Sequence, residues 1–148
     1  MDEMNRRILR LLRTDGKMTY REVAQKLKRS PSTVRDRIGR MEMDGVILGY
    51  VALVNAEQMG IHTEAVILAN MEDHVRFKDL LELKKVNGIL EVLFVTGEKN
   101  VMIRIQAPDN RTLEETIAEK ILPIGLKEMD LKVVLESVMR FPEVDLAD

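Results

Sequence analysis

The chain has no cysteine, which excludes a disulfide framework, a thiolate metal site and a cysteine nucleophile, and which fits a reducing, cytoplasmic setting. Histidine is nearly as scarce. His62 and His74 are the two imidazoles, they do not stand at a metal-pairing spacing, and no HExxH motif occurs, so each reads as an ordinary partly exposed side chain rather than a ligand. Aromatics make up 3% of residues and no strand carries the paired rings on which RNA-binding sheets stack bases. Glycine loops of the P-loop or dinucleotide type are missing too, and with them the usual cradle for a nucleotide phosphate. Long apolar runs are also absent. The longest charge-free stretch, "GVILGYVALVNA", falls short of the ~20 residues that span a bilayer, and the opening "MDEMNRRILR" mixes acid and base where a signal peptide needs an apolar run. These absences point to a soluble protein without a membrane partner, metal or cofactor, and they leave little from which to build an enzyme. Glu114, Glu115 and Glu119 are acids on a predicted helix surface, where solvated charge accounts for them.

What is present is unevenly spread. Lys and Arg number 23 against 25 Asp and Glu, but residues 1–50 hold 12 bases and 7 acids, net +5, while residues 51–148 hold 11 and 18, net −7. One end attracts phosphate and the other repels it. With 45% hydrophobic residues over 148 positions, the chain can bury one ordinary core or two small ones.

The first fifty residues read as three short helices. Met4, Ile8 and Leu11 fall at helical spacing behind an Asp, and Asp15-Gly16 supplies a stop. In "TYREVAQKLK", Thr19 and Glu22 form a capping box ahead of an apolar stripe of Tyr20, Val23, Ala24 and Leu27. The third helix starts at Ser30, a good N-cap, has Pro31 at its first position, and is closed by Gly45. At 100° per residue, Val34, Ile38 and Met41 share its buried side. The opposite side carries Ser32, Thr33, Asp36, Gly39 and Arg40, flanked by Arg35 and Arg37.

A helix that enters the major groove needs short polar side chains near its N-terminus for base edges and cations beside them for phosphates. "KRSPSTVRDRIGR" has that distribution, and the short link before it is that of a helix-turn-helix. The predicted DNA-contacting set is Arg21, Lys28, Arg29, Ser30, Ser32, Thr33, Arg35, Asp36, Arg37 and Arg40. Arg40 has an intrahelical alternative in Asp36, four residues away.

Beyond Gly45 the β-branched "VILGYVALV" predicts a connecting strand, and Gly60 a boundary. Then strand, helix, strand occurs twice. "HTEAVILAN", a helix in "DHVRFKDLLELKKV" with Phe77, Leu80, Leu81 and Lys84 on one side, and "ILEVLFVT" form the first unit. "VMIRIQA", a helix in "TLEETIAEKIL" opened by a Thr112–Glu115 capping box, and "DLKVVLESVM" form the second. Asn87-Gly88 follows a helical pattern and reads as a left-handed cap.

The expected fold is therefore α+β: a helix-turn-helix domain over residues 1–50, a strand connector over 51–61, a ferredoxin-like βαββαβ domain over 62–140, and a tail over 141–148. Because both helices lie on one face of such a sheet, while "AVILA" and "VLFV" are apolar at consecutive positions, the open face calls for cover, most simply by a second copy.

The opening "MDEMNRRIL", the capped "SPSTVRDRIGRMEMDGVILGY" and the split βαβ domain behind them resemble the Lrp/AsnC, or feast/famine, transcription regulators over nearly the whole chain. "STVRDRI" with the following "DGVI" and "GY" is the most specific part. The resemblance implies a double-stranded DNA partner, homodimers built through the sheets and often octamers of four dimers, and a C-terminal domain that senses a small effector such as an amino acid.

Members that bind amino acids have a Thr-Gly-Glu-Tyr-Asp-like turn between the second and third strands. Here it reads Thr96-Gly97-Glu98-Lys99-Asn100, without the aromatic and the carboxylate. Met129 and Leu131 stand where many relatives place threonines. Losing the Asp weakens the grip on an α-amino group. Thr96, Gly97, Glu98 and Asn100 are the candidate effector contacts, against the competing reading of a purely structural turn. The two other functional readings are an effector-independent, chromatin-like DNA binder and a ligand-sensing oligomer without DNA binding.

Overall fold

Two separate hydrophobic clusters organise residues 1–138, the part of the chain that the computed structural model describes. One lies within the unit Met1–Leu53 and the other within Val54–Ser137. The final residue of the last predicted strand, Met139, the end of the predicted second domain at 140 and the predicted tail 141–148 lie outside the described residues.

In the first unit, α1 (Glu3–Thr14), α2 (Tyr20–Leu27) and α3 (Pro31–Met43) each begin at a side-chain cap. Asp2 accepts the Asn5 N–H at 2.8 Å, and Thr19 and Glu22 form the reciprocal box, with the Thr19 N–H donating to Glu22 at 2.6 Å. Ser30 accepts the Thr33 N–H at 3.1 Å. The core is Ile8, Val23, Ala24, Leu27, Val34, Ile38 and Met41. Each larger side chain among them contributes on the order of 1.5–3 kcal/mol of transfer free energy before conformational entropy is subtracted. Tyr20, expected in the stripe of α2, is instead exposed at the first helical position.

The connector is not a strand. Residues 48–55 pair with no strand among the described residues, and Leu48 and Val51 are 95% and 85% exposed. The β-branched composition set a local preference, but a strand needs a partner's N–H and C=O groups, and neither edge of the sheet supplies them.

The second unit holds four strands, β1 (Thr63–Met71), β2 (Ile89–Phe94), β3 (Val101–Ala107) and β4 (Leu126–Val133), in the order β2-β3-β1-β4 with every neighbour antiparallel. Each βαβ crossover therefore straddles a strand of the other unit, which is the split arrangement expected of the ferredoxin-like fold. Alternate residues of β1 and β3 are buried, and their pairing sets small against large, with Ala65 opposite Ile105 and Ala69 opposite Val101. Leu80, Leu83, Leu113 and Ile121 close the core from the helical side.

Three local expectations change. The segment over Phe77–Lys85 is a 3-10 helix, and it buries Leu80 and Leu83 while Phe77 and Leu81 are exposed. Phe77, Leu80, Leu83 and Val86 recur every third residue, the period at which 3-10 side chains eclipse. Next, α4 (Asn110–Thr116) is capped by Asp109, which accepts the Thr112 N–H at 2.7 Å, so the Thr112–Glu115 box does not form and Glu115 pairs with Arg111 at 2.9 Å. The helix starts earlier than its apolar pattern implied because Asp109 is the stronger cap. It continues through a π turn over Ile117–Ile121. Finally, β4 begins at Leu126, four residues before the expected start, because Leu126 is buried opposite Met71. Among the described residues no helix is long and apolar enough to cross a membrane.

Gly88 has φ +88° in the turn that leads into β2, two residues beyond the extended Val86 that ends the 3-10 helix, and a Cβ there would stand 2.2 Å from the Gln106 carbonyl oxygen. The Gly88 carbonyl also accepts the Gln106 N–H at 2.8 Å. Gly88→Ala combines a left-handed backbone with a clash against an immovable strand, and is expected to destabilise the sheet unit by roughly 2 kcal/mol or more, read as a lower urea midpoint of the full chain with an unchanged slope.

Candidate nucleic-acid interface and effector turn

The turn between α2 and α3 is tight because Lys28 takes a left-handed conformation, φ +53°, and the Arg29 N–H returns to the Ala24 carbonyl at 2.9 Å. Ser30 then opens α3. Its hydroxyl lies 2.7 Å from that of Thr33 and 3.0 Å from that of Ser32. Three hydroxyls thus gather, exposed, at a helix N-terminus whose backbone N–H groups and partial positive charge favour an acceptor. Burial of Val34, Ile38 and Met41 on the other side forces this arrangement, since the helix can present only one face to its core.

The cations divide into two groups. Arg21, Lys28, Arg29 and Arg40 are exposed, and Arg40 has no ion-pair partner among the described residues. Arg35 is exposed but bonds Asp36 at 3.2 Å, so the partner of Asp36 is its neighbour rather than Arg40. Arg37 is not the free flanking cation expected. Its guanidinium donates to the Asp2 carboxylate and, at 2.9 Å, to the Asn5 side-chain oxygen, tying α3 to the start of α1. This bond to Arg37, with help from the Asn5 N–H, holds the Asp2 carboxyl below its ordinary range. Nothing in the spacing could have revealed a partner 35 positions away.

Tyr50 donates to Glu42 at 2.9 Å, which anchors the start of the connector on the helical unit. Partial burial, then the Glu42 bond, pushes its phenol up to about 12.

In the second unit, the turn Thr96–Asn100 joins β2 to β3 and is closed by the Val95 N–H donating to the Asn100 carbonyl at 2.9 Å. Thr96, Gly97 and Glu98 are exposed. Asn100 is drawn inward: its N–H donates to the Asn70 side-chain oxygen at 3.2 Å, and its own side-chain oxygen is buried without a hydrogen-bond partner. Lys99, 22% exposed, donates to the Glu128 carbonyl and lies 3.8 Å from the Glu128 carboxylate, which also accepts from Asn70 at 2.7 Å. The Asn70 bond and then the Lys99 charge lower the Glu128 carboxyl. Four of the five turn residues are effector contacts expected from the sequence, whereas Asn70, Lys99 and Glu128 emerge only from the pairing of β1 with β4, where the register shifts between Leu68 and Asn70 and Glu128 takes φ +55°. Among the described residues no cluster of metal-ligating side chains forms.

This combination, an exposed capped helix on a short turn and a separate ferredoxin-like domain, defines a DNA-binding regulator with a sensing domain. The winged helix-turn-helix DNA-binding family matches residues 1–47, and the Lrp/AsnC ligand binding domain matches residues 64–144. The chain belongs to the Lrp/AsnC family of transcription regulators, which bind DNA through the helix-turn-helix and are not enzymes. It is similar to an HTH-type transcriptional regulator of Pyrococcus horikoshii, at 33% identity over 135 residues, covering 90% of this chain and 85% of that one. It also resembles the regulator Ptr1 of Methanocaldococcus jannaschii, at 29% identity, covering 84% of each. In fold it matches AsnC of Escherichia coli, with a TM-score of 0.82 at 23% identity and 95% of each chain covered. A transcriptional regulator of Neisseria meningitidis, solved as a complex with L-Met, matches with a TM-score of 0.86 at 19% identity, covering 99% of this chain and 97% of that one.

Asp2 is paired in the folded state, so its stabilising contribution is complete above its unfolded value near 3.8 and is lost as pH falls through the lower folded value. Asp2→Asn keeps a good N-cap but removes the charge. Its melting temperature should sit below that of the parent at neutral pH, and the difference should shrink toward pH 2 in a thermal melt series.

Proposed function

We propose that residues 1–50 read DNA by sequence and that residues 62–140 assemble the protein and couple it to a small effector. The observation that carries this reading is the exposed hydroxyl cluster of Ser30, Ser32 and Thr33 at the start of a helix whose opposite face is buried. Ser32 and Thr33, with Asp36, reach base edges, while Arg40, Arg21, Lys28 and Arg29 meet phosphates on either side. Arg35 joins them by exchanging Asp36 for a phosphate. Arg37 acts from behind, by fixing α3 against α1.

Surfaces left apolar support a homodimer, and the family resemblance extends this to higher assemblies up to an octamer. Val66, Leu68, Met102 and Leu93 lie on the side of the sheet away from the buried residues, together with an Arg104–Glu64 ion pair of 2.9 Å. The unpaired, apolar connector is a second such surface. A two-fold assembly places two recognition helices about 34 Å apart, or a multiple of that, so the preferred site is a near-palindrome.

The effector belongs to the amino-acid class, in keeping with the L-Met bound by the Neisseria relative, and Asn100 with its unpartnered oxygen is the contact in the turn best placed to accept an α-ammonium. A nucleic-acid regulator of this kind works in the cytoplasm.

Random-sequence selection with the full chain, run with and without free amino acids, tests these points together. The expected outcome is a two-fold motif whose enrichment shifts with one amino acid. A set of enriched sequences with no motif supports the chromatin-like alternative, and a response to an amino acid without retention of any duplex supports the sensing oligomer.

At the level of residues, Ser32→Ala or Thr33→Ala should change base preference by ~1–3 kcal/mol at one position of each half-site. Arg40→Ala should weaken all sequences alike and reduce the salt slope by about one. Titration of the same panel of duplexes with each variant separates the two behaviours.

A further inference from the structure

The positive charge of the first unit is not concentrated on its recognition helix. On α3, Arg35 and Arg37 already have carboxylate partners, Asp36 and Asp2. On α1, by contrast, Arg6, Arg7 and Arg10 are exposed and have no ion-pair partner among the described residues. Arg6, Arg10 and Arg13 follow one another at helical steps of four and three, in a line on the side opposite the buried Ile8 and the partly buried Met4 and Leu11. The acid nearest to them in the chain, Glu3, is exposed and forms no ion pair among the described residues, while Asp2 is committed to Arg37 and to its own N-cap.

We propose that the outward face of α1, centred on Arg6, Arg7 and Arg10, contacts a DNA phosphate backbone without reading sequence, separately from the base-reading end of α3. This rests on the DNA-binding reading above and adds a face to it. Like charges three and four residues apart repel along a helix, and Arg6, Arg7 and Arg10 outnumber Glu3, the one acid within α1, so this face carries a net positive charge for a phosphate backbone to meet. Arginine suits phosphate because its planar fork donates two parallel bonds. A protein partner fits less well, because the line of arginines encloses no apolar centre of the kind that protein interfaces bury.

The test is a salt titration of full-length protein on a long mixed-sequence duplex, comparing the parent, Arg6→Gln, Arg10→Gln and the double substitution. These side chains are exposed, and a thermal melt of each variant confirms that it is folded. Each single substitution is expected to lower the slope of log K against log salt by ~0.9, and the double by about twice that. The rank order of sequences recovered by selection should stay unchanged. An unchanged slope in folded variants overturns the proposal while leaving DNA binding by α3 intact. A changed oligomeric state with an unchanged slope overturns it in favour of contact with the acidic half of another copy. A parent protein that ignores duplex DNA in dilute salt overturns both this proposal and the reading beneath it.

Discussion

The burial of Val34, Ile38 and Met41 is the constraint from which the functional half of the molecule follows. A helix has one axis and three of its positions are committed to the core, so the rotation of α3 is settled and the hydroxyls of Ser30, Ser32 and Thr33 have nowhere to go but solvent. Ser30 serves twice in this arrangement. Its oxygen relieves a backbone donor that would otherwise be orphaned at the helix start, and it also holds the neighbouring hydroxyls in a compact group.

The ion pair between Arg37 and Asp2 gives that orientation a second support. It joins the start of α1 to the middle of α3, so the unit depends on an electrostatic tie as well as on its small core. The consequence is a division of labour among arginines that look alike in the sequence: Arg37 braces the helices, Arg35 is balanced by its neighbour, and Arg6, Arg7 and Arg10 on α1 face solvent without an ion-pair partner among the described residues.

In the sheet unit, the effector turn is less empty than its family resemblance suggests. Lys99 and Glu128 form an internal pair beside Asn70, where relatives that bind amino acids would have an aromatic and a carboxylate in the turn. The network places a cation and an anion of the protein's own beside the turn between β2 and β3. Within the turn, the side-chain oxygen of Asn100 is the buried polar atom that this network leaves without a hydrogen-bond partner among the described residues.

Local signals were enough for the helical unit, because caps, stops and a 3.6-residue apolar stripe act over a few neighbouring positions: Asp2, Thr19 with Glu22, and Ser30 with Pro31 mark the starts of its three helices, and Asp15-Gly16 and Gly45 mark ends. The two βαβ units were legible for the same reason, since short apolar runs mark β1 and β3 in the sequence, whereas which alternate residues of those runs are buried is set by the sheet. What local pattern could not decide was anything that depends on a distant partner. The connector looked like a strand but has no ladder to join, β4 begins where Leu126 meets Met71, and the helix before β2 winds at three residues per turn to bury Leu80 and Leu83 together. Arg37 with Asp2, and Lys99 with Glu128 and Asn70, are contacts between residues tens of positions apart. Propensity is a property of a few residues, whereas pairing, register and charge partnership arise only once the chain has brought remote segments within a few ångströms.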